Sequence, residues 1–274
     1  MSEQAFTSAY KTCVSRALHQ FDAAPLVFDD TAALRLVGTD PRTPGYREDA
    51  TFKLRGNVVV RSRLAEDMFG DAVKRGIGRL VVLGAGLDSL GIRNPWPQCE
   101  VIEVDHPPTQ AWKRGLLAER GIDLAANVRL VPIDFERTTL ADGLAQHGIH
   151  PDRPTAFSWL GVIYYLSLPA IRATLQYVAG CGAGSELCFD FFPPDDKVDS
   201  ARLAAHNQNA AAAAREGAMF QSLFSIPAIG AELRAAGFTG IELLDRTAVH
   251  ARYFARREDG LQVVGEYHLG RAMR

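Results

Sequence analysis

The chain has 274 residues, 47% hydrophobic and 23% charged, with a formal net charge of −2 and a sequence pI of about 6.4. This is the composition of a globular protein with room for a large core, and its near-neutral balance carries no electrostatic footprint for nucleic acid or an anionic membrane. No apolar run approaches the roughly 18 residues of a membrane span. Cys13, Cys99, Cys181 and Cys188 form no C-x-x-C pair and the histidines no H-E-x-x-H, so neither a disulfide framework nor a metal site is expected.

The first residues, MSEQAFTSAYKTCVSRALHQFD, lack the apolar stretch of a secretory signal, which makes a cytoplasmic protein with reduced thiols the expectation. Within them TSAYKTCVSRALHQF has helical spacing, and GTDPRTPGYRED is turn-rich. KLRGNVVVRSRLAEDMFGDAVKRG reads as a long helix, weakened by Gly56 near its start and ended by Gly76. Residues 1–76 are thus expected to form a helical cap. From there strands and helices alternate: RLVVLG and EVIEVD as strands, PPTQAWKRGLLAERG as a helix opened by prolines, then VRLVPIDF (strand), LADGLAQHG (helix), PTAFSWLGVIYY (strand), SLPAIRATLQYVAG (helix) and GSELCFDFF (strand). The alanine-rich DDKVDSARLAAHNQNAAAAAREGAMF predicts one long helix, a natural lid near residues 195–217. IPAIGAELRAAGF is a further helix, and GIELLDRT and LQVVGEYHLGRA are two late strands with a turn-rich piece between them. Apolar strands alternating with helices predict an α/β fold: a mostly parallel seven-stranded sheet covered on both faces, with 77–274 as the core of a single domain.

In such a sheet, ligands bind at the carboxyl ends of the strands. Gly84 and Gly86 follow the first predicted strand. Glu103 and Asp105 close the second, about 20 residues on, the usual distance to an acid that binds ribose hydroxyls. Asp134 closes the third, and SWLGVIYY follows the fourth. A glycine pair alone also suits a tight strand-to-helix turn, but acids ending the next two strands favour a ligand site. A dinucleotide would prefer a third glycine where Ser89 stands, and Asp88 would repel a pyrophosphate at the helix N-terminus. S-adenosylmethionine has no phosphate and carries a sulfonium and an ammonium group, so an acid-rich pocket suits it better. A nicotinamide-dependent oxidoreductase is the alternative enzyme, and a non-catalytic binding protein on the same fold is the third reading.

Together LVVLGAGLDSLGIRNPWP, VIEVDHPPTQAWKR, LVPIDFE and FSWLGVIYYL resemble the leucine carboxyl methyltransferase family, from about Arg61 to Phe192. The closer likeness is to its bacterial small-molecule branch of polyketide-type O-methyltransferases. The resemblance implies a Rossmann-like class I methyltransferase that uses S-adenosyl-L-methionine and no metal. It implies Gly84 and Gly86 against the methionine part of the cofactor, Asp105 on the ribose hydroxyls, and Asp134 with Phe135 at the adenine. Arg61 would bind the cofactor carboxylate, with Arg63 as a possible substitute. Leu160 stands where the leucine-methylating enzymes carry a glutamate at the cofactor's amino group, whose partner would then be a backbone carbonyl near Gly84 or Gly161. That departure points away from a protein phosphatase substrate and towards a small-molecule acceptor such as an aromatic polyketide acid. No nucleic-acid or membrane partner is implied, and the protein is expected as a monomer or homodimer.

A carboxylate, with a pKa of about 4, is ionised at neutral pH, whereas a phenol, with a pKa of about 10, needs a general base. No histidine stands out as one. His106 lies beside the ribose acid, His147 and His150 in a turn, and His206, His250 and His268 late in the chain, where any of the three could face a pocket. The expected reaction is therefore O-methylation of a small-molecule carboxylate to a methyl ester, with phenolic O-methylation as the alternative. Tyr164 and Tyr165 are the residues expected to orient the acceptor oxygen, with Trp159 as a wall. They read equally as core aromatics at a strand end. Phe191 and Phe192 would form the acceptor-side rim.

Overall fold

Segments rich in valine, leucine and isoleucine build the centre of the molecule. In the computed structural model, which describes residues 3–42, 54–135, 137–215 and 219–274, they form one seven-stranded sheet. The strands are β1 (Arg79–Leu83), β2 (Glu100–Asp105), β3 (Val128–Pro132), β4 (Ala156–Trp159), β5 (Glu186–Phe191), β6 (Gly240–Leu244) and β7 (His268–Met273). Their order is β3-β2-β1-β4-β5-β7-β6, with β1 to β5 parallel and β7 antiparallel to both of its neighbours. The chain reverses direction across the sheet at β1, which pairs with β2 on one side and β4 on the other. The crevice between the ends of β1 and β4 is therefore the switch point at which open α/β sheets hold ligands. Every residue of β1, β4 and β5 is buried, which explains why these strands read as unbroken apolar runs and not as alternating ones.

Before the sheet come α1 (Glu3–His19), α2 (Thr31–Val37) and α3 (Arg55–Lys74). Cys13, Val14, Ala17 and Leu18 of α1 pack with Leu36 and Val37 of α2 and with Leu87, Leu117 and Ile122, a small second core over the edge of the sheet. Asp30 caps α2 by accepting from the Ala33 amide, and Gly38 ends it in the left-handed conformation. Gly56, unfavourable in a helix by propensity, is required by packing: a Cβ there would stand 2.0 Å from the Gln262 carbonyl oxygen. The remaining helices are α4 (Leu90–Arg93), α5 (Pro107–Glu119), α6 (Leu140–Gln146), α7 (Leu168–Gly180), α8 (Ser200–Arg215), α9 (Ile226–Ala236) and α10 (Arg246–Tyr253). No helix among the described residues is long and apolar enough to cross a membrane.

Several expected boundaries shift. The fourth strand stops at Trp159: Gly161 (φ +73°) turns the chain, and Ile163–Tyr165 form a 3₁₀ turn. The turn-rich piece between the late strands contains α10, whose N-cap is Asp245, accepting from the Ala248 amide. The last strand begins only at His268, because Gly265 (φ +72°) breaks the extended chain before it. The alanine-rich helix starts at Ser200, after a 3₁₀ turn at Asp195–Lys197. Lys53, most of GTDPRTPGYRED and the 216–217 end of the expected lid lie outside the described residues.

Candidate cofactor and acceptor site

The turn after β1 is tied to the end of β2. The Gly84 and Ala85 amides both donate to the Val104 carbonyl, over 2.8 and 3.1 Å. Gly84 (φ +67°) and Gly86 (φ +48°) are both left-handed. A Cβ on Gly84 would stand 2.3 Å from Cγ2 of Val162, and one on Gly86 would stand 3.1 Å from Cβ of Ala9 on α1. Asp105 holds the turn from below. Its Oδ2 accepts from the Gly86 amide and its Oδ1 from the His106 amide, each over 2.6 Å. Burial pushes its carboxyl above the usual carboxylate range, with the two amides and Lys113 pulling the other way.

Glu103 and Asp105, indistinguishable as strand-end acids in the sequence, separate in the structure. Glu103 is fully buried and pairs with Lys113 of α5, while Gly91 donates to it over 3.2 Å. Burial pushes its carboxyl up as well, against the pull of Lys113. It is a support under the loop and not a ligand group. Lys113 also donates to the Asp88 carbonyl over 2.7 Å, and Asp88 Oδ1 accepts from the Leu90 amide at the start of α4. Asp134 lies just past β3, where its Oδ2 is 3.3 Å from His106 Nε2 and 3.6 Å from Arg137 Nε. The half-buried Phe135 packs beside it on the core. His106 Nδ1, between Asp105 and Asp134 in this row, is buried and has no hydrogen-bond partner.

Arg61 on α3 faces Asp190 at the end of β5, with Nη1 3.2 Å from Oδ2. Asp190 also accepts from the Tyr267 hydroxyl (2.8 Å) and the Gly161 amide (2.6 Å). The Tyr164 and Tyr267 hydroxyls lie close enough to Arg61 to act on its charge. Burial works against the guanidinium charge, and Asp190 with the two tyrosines more than offsets it, so its pKa is raised. The same burial, with Asp190 adding to it, pushes the Tyr164 hydroxyl well above the ordinary tyrosine range. Gly161 is confined by this arrangement, since a Cβ there would meet the Arg61 guanidinium at 2.9 Å. Arg63, the substitute considered for Arg61, points outward to Asp67 (2.8 Å). Sequence reasoning missed Asp190 and Tyr267, and placed His106 beside the ribose acid without giving it a role. The signal for Asp190 was an acid inside the apolar run CFDFF; Tyr267 had none.

Leu160 is half-buried and shares a small pocket with Ser62, Glu66, Asp88 and Ser158. A chain of ion pairs borders it: Arg16 to Asp30 (2.7 Å), Asp30 to Arg93 (3.3 Å), and Arg93 to Glu66. On the β5 side, Tyr164 packs against Tyr165, Phe192 and Phe220, with ring centroids 4.7, 5.0 and 4.7 Å apart. Residues 221–224 are pinned there, the Gln221 amide donating to the Tyr164 carbonyl (2.7 Å) and the Phe224 amide to the Phe192 carbonyl (2.9 Å). His206 of α8 packs on Phe192 (5.8 Å between centroids) and is 2% exposed. The absence of an evident base in the sequence is thus replaced by a buried imidazole beside the aromatic cluster.

These residues fit an adenosyl-methionine ligand on their chemistry. Asp88, Asp105 and Asp134 follow β1, β2 and β3, and Asp190 lies near the end of β5, an acid-rich set complementary to a ligand with two cationic groups and no phosphate. His106 Nδ1 is an orphaned polar atom within the same row. The sequence pattern of the leucine carboxyl methyltransferase family matches residues 9–179. A Mycobacterium avium protein, provisionally named an S-adenosyl-L-methionine-dependent methyltransferase, is 34% identical over 190 residues, covering 68% of this chain and 63% of its own. A Mycobacterium marinum protein of the same provisional name is 31% identical over 214 residues, covering 73% and 70%. This chain therefore spans less than two thirds of the M. avium relative. Among solved structures, a DUF574 family protein from Streptomyces avermitilis aligns over 97% of each chain with a TM-score of 0.57 and 15% identity. A Thermobifida fusca protein, provisionally named a methyltransferase, aligns over 96% and 94% with a TM-score of 0.56 and 17% identity. Likeness at that identity speaks for the fold, a Rossmann-like α/β sheet.

Proposed function

The chain belongs to the leucine carboxyl methyltransferase family, and from that premise we propose that this S-adenosylmethionine-dependent methyltransferase acts on an acidic oxygen of a small aromatic acceptor. The observation that carries the cofactor end is Asp105: both its oxygens are oriented by backbone amides of the glycine turn and of His106. A carboxylate held so rigidly is pre-organised to accept from vicinal ribose hydroxyls. In this reading Gly84 and Gly86 carry the methionine part, Asp134 and Phe135 flank the adenine, and Arg61 attracts the cofactor carboxylate while still paired with Asp190. The amino group finds the pocket beside Leu160, where Glu66 and Asp88 lie and Arg16 is paired with Asp30.

When bound, S-adenosylmethionine supplies an activated methyl group with its own leaving group, so the protein's contribution is alignment and exclusion of water. The aromatic cluster of Tyr164, Tyr165, Phe192 and Phe220 supports a flat acceptor at the β4 and β5 ends, with α8 and residues 219–224 as the lid over a single-domain protein. The family pattern favours a carboxylate and a methyl ester; His206 favours a hydroxyl and a methyl ether. Calorimetry tests the first half of the proposal: S-adenosylmethionine or its demethylated product should bind, and binding of NADH in its place would overturn it. Mild alkali tests the second, since it releases methanol from an ester and leaves an aryl ether intact.

A further inference from the structure

Two buried imidazoles stand near each other on the acceptor side. His206 on α8 is 2% exposed and His268 at the start of β7 is 5% exposed, and neither Nδ1 has a hydrogen-bond partner. A buried polar nitrogen without a partner costs free energy and calls for a reason. His268 packs on Phe191 (5.1 Å between centroids), and burial holds its pKa below the ordinary histidine value. His206 packs on Phe192, whose ring also meets Tyr164, Phe220 and Tyr267. Through Tyr164 and Tyr267 that cluster reaches Arg61 and Asp190 at the strand ends. An acceptor seated among these rings has an imidazole for a neighbour.

One detail decides what that imidazole can do. Asp195 Oδ1 lies 3.5 Å from His206 Nε2. A carboxylate on that side favours the tautomer with its proton on Nε2, leaving the lone pair on Nδ1. Such a nitrogen accepts a proton from a hydroxyl; towards an ionised carboxylate it presents a lone pair against a lone pair.

We propose that His206, oriented by Asp195, is the general base for a hydroxyl acceptor, which narrows the acidic oxygens of the previous subsection to those that must lose a proton to react. This inference rests on that reading of the aromatic cluster as the acceptor site. In the step, the hydroxyl proton passes to Nδ1 and then to solvent. The oxygen forms the new bond to the methyl carbon, and the carbon–sulfur bond breaks with its electron pair left on sulfur. The product pair is an aryl methyl ether and S-adenosylhomocysteine. The groups that act on His206 are Asp195 from the 3₁₀ turn and His268 from β7, and on His268 in turn Glu266 and Asp245.

The test uses the full chain with labelled S-adenosylmethionine and three acceptors: 2-naphthol, 2-naphthoic acid, and a dinitrophenol that is already ionised at neutral pH. The wild-type rate with 2-naphthol should rise with pH to a plateau, because a protonated base cannot accept the hydroxyl proton. His206→Gln should cut that rate by about 10²–10⁴-fold and flatten the profile. The same variant should change the dinitrophenol rate by far less, because that acceptor has no proton to give. Cofactor binding measured by calorimetry should be equal in both proteins, which separates a lost base from a lost fold. Methylation of 2-naphthoic acid and not of either phenol, or a 2-naphthol rate unmoved in His206→Gln, would overturn the inference and leave the methyltransferase reading standing. Failure of the wild-type protein to bind S-adenosylmethionine would overturn both.

Discussion

The Gly86 amide donates to Asp105 Oδ2 over 2.6 Å, so the glycine turn and the acid at the end of β2 form one rigid unit. Asp105→Ala removes the proposed ribose acid and the acceptor of two backbone amides together. Lost charge-assisted hydrogen bonds should weaken S-adenosylmethionine binding by about 1–3 kcal/mol. Asp105→Asn sets its NH2 against one of the two amide donors, a donor–donor clash, and should lose at least as much. Titration calorimetry on both variants checks the order; equal affinity in wild type and Asp105→Ala would remove the residue from the site.

The two glycines should respond differently to a side chain. At Gly86 the positive φ and the Ala9 contact at 3.1 Å make valine strained yet foldable. Gly86→Val should lower the melting temperature modestly and abolish cofactor binding. At Gly84 the obstacle is Cγ2 of Val162, 2.3 Å from the position of a Cβ, so even Gly84→Ala must displace a neighbour. Adding Val162→Ala should recover part of its stability. Thermal melts of the single and double variants give the coupling directly. An uncoupled pair would mean that backbone strain, about 1–2 kcal/mol for a left-handed non-glycine residue, is the whole cost.

Asp190 is fully buried and serves Arg61, Tyr267 and Gly161 at once. Asp190→Asn leaves the Arg61 guanidinium without its anion in a nearly closed environment, which should cost about 3–5 kcal/mol of stability. Tyr267→Phe removes one hydroxyl donor and should cost about 1 kcal/mol. Denaturant unfolding of both measures the difference, and similar values would show that the ion pair adds little.

The cap carries an acid-labile component. Burial raises Asp30, but Arg16 and Arg93 outweigh it; burial raises Asp22, but His19 and Arg55 outweigh it; both carboxyls therefore titrate below the ordinary value. A depressed folded pKa contributes stability that is fully present above the unfolded value of about 3.9 and is lost as pH falls through the folded one. Burial raises Glu66, where Arg93 only partly compensates, so its contribution runs the other way and weakens as pH rises. Protection factors for amide exchange in α1 and α2, corrected for the intrinsic rate at each pH, should thus fall below about pH 4 before those in the sheet do. Asp30→Asn should remove much of that pH dependence while lowering stability at neutral pH.

The sheet was legible because β1, β4 and β5 are buried on both faces and so appear as unbroken apolar runs of strand length. The glycine turn, Asp105 and Asp134 were legible because a parallel sheet gathers strand ends at one edge. What stayed hidden depends on contacts between distant segments. Glu103 and Asp105 lie two positions apart on the same face of β2 and differ by partner: Lys113 reaches Glu103 inside the strand, while Asp105 closes it against the Gly86 and His106 amides. Asp190 acquires its partners from α3, the β4 turn and the approach to β7, hydrogen bonds that span 129, 29 and 77 positions. His206 reads as an ordinary polar residue in an alanine-rich helix until Phe192 closes on it. Gly56 and α10 were misjudged for the opposite reason, local propensity being overruled by packing against Gln262 and by the Asp245 cap.

Leu160 gives the sharpest test of where the cofactor's amino group lies. It stands where the family resemblance implies a glutamate, and it shares its pocket with Glu66 and Asp88. Leu160→Glu would add a third carboxylate to that pocket. Without ligand, the new charge is half-buried beside Glu66 and Asp88, while Arg16 in the same pocket and Arg93 are already paired with Asp30 and Glu66, so the variant should melt below the wild type. With S-adenosylmethionine bound, an ammonium in the pocket would neutralise part of that repulsion, and the ligand would favour the folded variant more than it favours the folded wild type. Linkage then predicts a larger cofactor-induced rise in melting temperature for Leu160→Glu than for wild type at the same ligand concentration. S-adenosylhomocysteine, which keeps the ammonium, should reproduce the larger rise, and an analogue lacking the amino group should not. An equal rise in the two proteins would place the amino group elsewhere, against a backbone carbonyl of the Gly84 or Gly161 turn.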